Sequence, residues 1–169
     1  TTVLDFVPQT GNDLQKDVST WMNKAEPKAA IDFSFHMNIT SFTEEIANQI
    51  PELLNIGIPS LKVFTAYNSS LRLQDAEIFQ VMRIAKENGF LTMLHAENGD
   101  IIDFLVKEAL ADGHVTPEWH AKTRPAWGAV EAVARGVSMS ATASCTCSLQ
   151  TQTEPAGGAP APGGCSEAR

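Results

Sequence analysis

The order of apolar segments in this 169-residue chain predicts an α/β fold built on a parallel sheet. Four short apolar segments recur about every 30 residues: Thr2–Val7, Ala30–Phe35, Ser60–Thr65 and Phe90–Leu94. Segments with helical periodicity separate the later ones, and this alternation is typical of βα units. Four units and one extra helix fit a small doubly wound sheet or half of a (βα)8 barrel. Because no Gly-x-Gly-x-x-Gly or Walker A motif follows the first strand, a nucleotide-binding sheet is unsupported.

Capping residues and glycines set the predicted helix boundaries. The helix Gln74–Asn88 stops at Gly89 and the helix Asp100–Asp112 stops at Gly113, since glycine adopts the positive φ that ends a helix. Two further helices are predicted at Asp13–Lys24 and Ala126–Ser140. Another helix is predicted to begin at Thr43, with Glu44 and Glu45 in its first turn, and to end or kink at Pro51.

Composition limits the classes of function. Hydrophobic residues make up 43% and charged residues 19% of the chain, which is typical of a globular domain. The net charge of −8 argues against nucleic-acid binding, which needs a basic surface. No apolar run approaches the roughly 18–20 residues that span a membrane, and the N-terminus lacks the basic start of a signal peptide. We therefore expect a cytoplasmic protein without nucleic-acid or membrane partners.

The sequence changes character after Ala143, where small and polar residues dominate and Leu149 is the single large apolar residue. We predict one partial barrel domain at 1–143 and a low-complexity tail at 144–169, either disordered or produced by a frameshift. This tail is predicted to lack the next buried strand. Its three cysteines, at 145, 147 and 165, are interpreted as incidental small residues rather than a metal site.

Two residues at the predicted strand ends can carry chemistry. Lys62 lies within an apolar segment, and His95 ends another segment 33 residues later, about one βα repeat. A single lysine in a strand is more often an edge residue, and a single strand-end histidine is more often structural. Because neighbouring parallel strands bring both residues to one sheet edge, their joint placement favours a functional site.

The segments around these two residues resemble one enzyme family. Lys-Val-Phe-Thr-Ala-Tyr at 62–67, His-Ala-Glu-Asn-Gly-Asp at 95–100 and Arg124-Pro125 resemble the dihydropyrimidinase/hydantoinase family of the amidohydrolase superfamily, over about residues 1–143. The resemblance implies a (βα)8 barrel and a cyclic amidase that opens dihydropyrimidines or hydantoins to N-carbamoyl amino acids. It also implies a homotetramer for the full-length parent, with a small cyclic amide as its partner.

The same resemblance implies roles for three residues. Lys62 would be carboxylated and bridge two divalent metal ions, which we expect to be zinc, and His95 would be a metal ligand. Tyr67 would stabilise the tetrahedral oxyanion. The family's His-x-His pair, a histidine after the helix at Ala126–Ser140 and a later aspartate have no counterpart in the sequence. We therefore expect this chain to be inactive alone.

Two other interpretations remain open. The first is a non-catalytic scaffold similar to the collapsin response mediator proteins, which resemble dihydropyrimidinases but lack the metal-binding residues. The second is an allantoinase or dihydroorotase. Lys62 and Tyr67 favour an enzyme, because a scaffold needs neither, and Ala66-Tyr67 after the lysine strand points away from the second interpretation.

Overall fold

The computed structural model describes residues 2–151, which form five strands and six α-helices. The strands are Val3–Val7 (β1), Phe33–Asn38 (β2), Ser60–Phe64 (β3), Leu91–His95 (β4) and Cys147–Gln150 (β5). The helices are Leu14–Ala25 (α1), Glu44–Gln49 (α2), Asp75–Asn88 (α3), Gly99–Ala111 (α4), Trp119–Lys122 (α5) and Ala126–Ala143 (α6), with a 3-10 helix, Ile50–Ile56, directly after α2. The strands lie in chain order and all neighbours are parallel. The predicted α/β fold with a parallel sheet is confirmed.

All four predicted strands are present, and one lies further along the chain than predicted. The prediction Ala30–Phe35 followed the apolar residues at its start, whereas the strand is Phe33–Asn38 and Ile31 is 46% exposed. Within this strand, buried residues alternate with half-buried ones over its last four positions. Such alternation is the pattern of a strand in a sheet with two different faces. Here it locates the strand more accurately than the continuous apolar segment used for the prediction.

The helix ends agree with the predicted caps. The side chains of Asp13 and Thr43 accept hydrogen bonds of 2.9 and 3.2 Å from backbone N–H groups in the first turns of α1 and α2. Gly89 and Gly113 have φ values of +83° and +81° after α3 and α4. α2 ends two residues before Pro51, as the sequence predicted. Within residues 2–151, none of the helices has both the length and the hydropathy to cross a membrane.

The tail from residue 144 was predicted to be low-complexity and to lack the next buried strand; Cys147–Gln150 nevertheless forms a strand, β5, whose four residues are half-buried, so the sheet continues past residue 143. This strand pairs with β4 from Cys147, opposite Thr92, to Gln150, opposite His95. The open edge of β4 supplies backbone hydrogen bonds that do not depend on side-chain type, and Leu149 packs against the core. A short half-buried strand therefore forms from mostly small and polar residues. Residues 152–169 lie outside the described part of the chain, and the prediction for them stays a prediction.

The sheet has one apolar face against the helices and one face with polar side chains. On the first face, Leu61 and Leu94 are fully buried. A Cβ at Gly136 of α6 would lie 2.5 Å from a methyl carbon of Leu94, so this glycine lets α6 approach the sheet closely. His36 on β2 and Lys62 on β3 lie on the second face, because each stands one residue along its strand from a residue of the apolar face, Met37 and Leu61.

Candidate active site

Lys62 is buried in the middle of β3, with only 4% of its surface exposed. Its Nζ lies 5.8 Å from the ring centre of Phe6 and 5.4 Å from that of Phe64. Nζ donates a hydrogen bond to Oε1 of Gln150 on β5. Burial lowers the pKa of the Lys62 amine from 10.5 to about 8, because the charged form loses solvation. A substantial fraction is therefore the neutral, nucleophilic amine near pH 8.

His95 is the last residue of β4 and is 5% exposed. Its Nε2 lies 2.6 Å from Oε2 of Glu97, whose side chain is also buried. The imidazole and the carboxyl group share a hydrogen bond, and its donor depends on the tautomer of His95. Glu97 thus fixes the orientation of the His95 ring.

Tyr67 stands just beyond β3 in a left-handed backbone conformation with φ +65°. Its carbonyl accepts hydrogen bonds from the backbone N–H groups of residues 70, 71 and 72, at 3.0, 3.0 and 3.3 Å, which stabilise this unusual turn. Its ring centre lies 5.2 Å from that of His95. Burial and the nearby Glu97 carboxylate raise the pKa of Tyr67, while Arg124 opposes them. The phenol therefore stays protonated near neutral pH, as a hydrogen-bond donor must.

The structure thus brings the three predicted site residues to one end of the sheet. Phe64 connects them, because its ring lies 5.8 Å from His95 and 6.1 Å from Tyr67, and Nζ of Lys62 contacts the same ring. Lys62 lies in the middle of β3, Tyr67 lies in the turn after β3, and His95 ends the neighbouring parallel strand β4. The grouping does not test the chemical roles predicted for the three residues, and these roles remain predictions.

Two further residues of the site were missed by sequence reasoning. Thr65 is buried; its hydroxyl lies 2.8 Å from the carbonyl oxygens of both His95 and Glu97 and accepts the N–H of Glu97 at 3.0 Å. It ties the end of β3 to the turn after β4, and its place within the Lys62–Tyr67 motif was the available signal. Gln150 gave no signal, because β5 was not predicted.

A polar network and a glycine support the turn that carries Tyr67. Nδ2 of Asn68 donates to Asp100 and Asp103 of α4, at 2.9 Å each, and Arg72 contacts Asp100 at 2.6 Å. A Cβ at Gly99 would come within 2.6 Å of Oδ1 of Asn68 and 2.8 Å of the Cα of residue 66. The first residue of α4 must therefore lack a Cβ, as glycine does, for this turn to pack.

Residues 2–151 contain no group of three or more histidine, cysteine, aspartate or glutamate side chains able to hold a metal ion. The two predicted ligands have other partners: Nζ of Lys62 is bonded to Gln150, and Nε2 of His95 is bonded to Glu97. Since zinc sites use three or four protein ligands, these residues do not make a metal site by themselves.

Comparison with known proteins shows which proteins this chain is similar to. No protein-family model matches the chain. The chain is 42% identical over 142 residues to the D-hydantoinase of Geobacillus stearothermophilus and 34% identical over 142 residues to the dihydropyrimidinase of Rattus norvegicus. Each alignment covers 83% of this chain, but 30% and 27% of those proteins. The predicted resemblance to the dihydropyrimidinase/hydantoinase family is confirmed.

Solved structures agree with this relationship. A crystal structure of D-hydantoinase matches with a TM-score of 0.85 at 41% identity, and that of the dihydropyrimidinase from Brevibacillus agri matches with 0.85 at 38%. Both matches cover 88% of this chain and 33% of the other chain. The chain is therefore similar to proteins named D-hydantoinase and dihydropyrimidinase, and it spans about a third of the length of the solved chains that it matches.

Proposed function

We propose that a full-length protein containing this sequence hydrolyses the cyclic amide bond of dihydropyrimidines or hydantoins to give N-carbamoyl amino acids. The observation that carries this proposal is the grouping of Lys62, Tyr67 and His95 at one edge of the sheet, in a chain 42% identical to a D-hydantoinase. Since the described residues lack a ligand set, we expect the 169-residue chain alone to be inactive.

We further propose that the five strands are part of a (βα)8 barrel. The strict chain order of parallel strands supports this, because each βα unit in a barrel adds a strand beside the previous one. The positions of His95 at the end of β4 and of Tyr67 just after β3 give independent support, since barrel enzymes build their active sites at the C-terminal strand ends. The resemblance also supports a cytoplasmic homotetramer for the full-length protein.

For the full-length protein we propose two divalent metal ions, zinc by preference, with carboxylated Lys62 and His95 among the ligands. When bound, such a pair of ions would supply an activated water and would polarise the amide carbonyl. The lowered pKa of Lys62, about 8, supports the modification. The neutral amine forms an N–C bond to carbon dioxide and releases a proton, and about half of Lys62 is neutral at pH 8, against under about 1% for an ordinary lysine.

We propose that Tyr67 stabilises the oxyanion that forms on the substrate carbonyl. Its raised pKa keeps the phenolic proton in place, so the hydroxyl is able to donate a hydrogen bond to developing negative charge. Its left-handed turn and its position beside the His95 ring hold it at the same end of the sheet as the other two residues.

The test is the Lys62→Ala variant of the full-length protein, compared with Lys107→Ala, which alters an exposed lysine on α4. We expect Lys62→Ala to abolish both hydantoin hydrolysis and bound metal, measured by product formation and elemental analysis, and Lys107→Ala to retain both. Full metal content in Lys62→Ala would contradict the role of carboxylated Lys62 as a bridging ligand.

A further inference from the structure

Gln150 is joined to Lys62 by a hydrogen bond that crosses the central strand of the site. Lys62 pairs with Met93 of β4, and Gln150 lies opposite His95, two residues further along the same strand. Side chains at these positions share one face of the sheet. Strands β3 and β5 are two strand spacings apart, about 10 Å, and the two long side chains reach across β4 to meet.

The position of Lys62 makes this contact important. Its side chain is almost fully buried, and the rings of Phe6 and Phe64 flank Nζ. A buried amine needs a hydrogen-bond acceptor to offset its lost solvation, and aromatic rings supply only a weaker attraction. The side-chain carbonyl of Gln150 is the acceptor that the structure provides.

We propose that Gln150 is a positioning residue for Lys62. It holds the Lys62 amine on the polar face of the sheet, so the position of this amine depends on the docking of β5. An amide oxygen accepts from an amine and equally from the N–H that a carbamate nitrogen retains, so the contact is compatible with both forms of Lys62. Its importance for hydrolysis rests on the proposed function, whereas the contact itself does not.

Acetylation of Lys62 in the 169-residue chain tests this role without metal or substrate. The chain is exposed briefly to an amine-acetylating reagent, and peptide mass spectrometry gives the rate at Lys62 relative to the exposed Lys107. We expect Gln150→Leu, which lacks an acceptor, to raise this relative rate about fivefold, the factor equivalent to one ordinary hydrogen bond. Gln150→Glu should lower it, because a carboxylate binds the ammonium form more strongly.

The matched control is Gln80→Leu, on the exposed face of α3, which should leave the relative rate unchanged. Circular dichroism establishes that each variant is folded. An unchanged rate in Gln150→Leu would overturn the proposal, as would a rise in both Gln150 variants, because that would indicate general loosening of β5. If Gln150→Leu does not fold, Gln150→Glu decides: a slower rate supports the role and an equal or faster rate overturns it.

This outcome is separable from that of the proposed function. Acetylation reports the Lys62–Gln150 contact alone, whereas hydantoin hydrolysis by the full-length protein reports the activity. Absence of hydrolysis together with the expected acetylation pattern would remove the proposed function and leave Gln150 as the partner of Lys62. Hydrolysis by the full-length protein together with an unchanged acetylation rate in Gln150→Leu would support the proposed function and remove the positioning role of Gln150.

Discussion

At the scale of single residues, Lys62 derives its reactivity from its place in the strand. A lysine on an exposed strand keeps a pKa near 10.4, but Lys62 lies between aromatic rings with its amine bonded to a neutral amide. No carboxylate partner for its amine is found among the ion pairs of residues 2–151. Burial therefore lowers the pKa of Lys62, and the electrostatic effect of the nearby Cys147 thiol opposes this only in part.

This lowered pKa predicts a pH dependence of stability in metal-free protein. Above pH 8 folded Lys62 has lost its proton while unfolded Lys62 keeps it up to about 10.5, so the unfolded state binds more protons and stability rises with pH across this window. We expect the free energy of unfolding of the wild type, relative to Lys62→Met, to increase between pH 8 and 10. Urea unfolding at each pH measures it, and a relative decrease across this window would contradict the burial of Lys62.

Thr65 gives a second prediction at this scale. Its hydroxyl is buried and accepts the N–H of Glu97, so Thr65→Val leaves that N–H without an acceptor at nearly constant side-chain volume. We expect Thr65→Val to lose about 1–3 kcal/mol of unfolding free energy. Thr65→Ser retains the hydroxyl and is the control. Equal stability of the two variants in urea would show that the hydroxyl has no structural role.

At the scale of elements, the turn that carries Tyr67 depends on close packing against α4. A side chain at Gly99 would meet the backbone of residue 66, and backbone cannot move aside as a flexible side chain can. The left-handed conformation of Tyr67 is thus held from both sides, by its own turn and by the first residue of the helix.

We therefore expect Gly99→Ala to destabilise the fold by about 1–3 kcal/mol, as overpacking usually does. Gly11→Ala is the matched control, since nothing lies within 4 Å of a Cβ at that position, and it should be neutral or slightly stabilising. Thermal unfolding followed by circular dichroism compares the two. Equal effects would mean that the turn relaxes to admit the methyl group.

The elements also show what the sequence was able to predict. Four strands were predicted from their apolar segments. The main helices were predicted from their hydrophobic periodicity and from capping residues such as Thr43 and Gly89. β5 carried neither, because its pairing comes from the open edge of β4 and its burial from Leu149 under α6. A strand that is stabilised mainly by its neighbours has only a weak pattern in its own four residues. Gln150 was missed for the same reason.

At the scale of the whole molecule, the site was predictable to the extent that its residues lie in contiguous motifs. Lys62, Tyr67 and His95 were identified from two short segments, and the parallel sheet brings them together as expected. The partners of these residues depend on contacts across strands: Gln150 lies 88 positions from Lys62. Long-range pairs of this kind are fixed by register, which a single sequence does not reveal.

The most direct measurement is the product formed from hydantoin and dihydrouracil by a full-length protein that contains this sequence. The proposed function predicts ring opening to the corresponding N-carbamoyl amino acid, lost in Lys62→Ala and retained in Lys107→Ala. If a folded full-length protein opens neither ring, hydrolysis of these cyclic amides is contradicted. Without bound metal the non-catalytic scaffold then becomes the better interpretation, and with bound metal an allantoinase or dihydroorotase does.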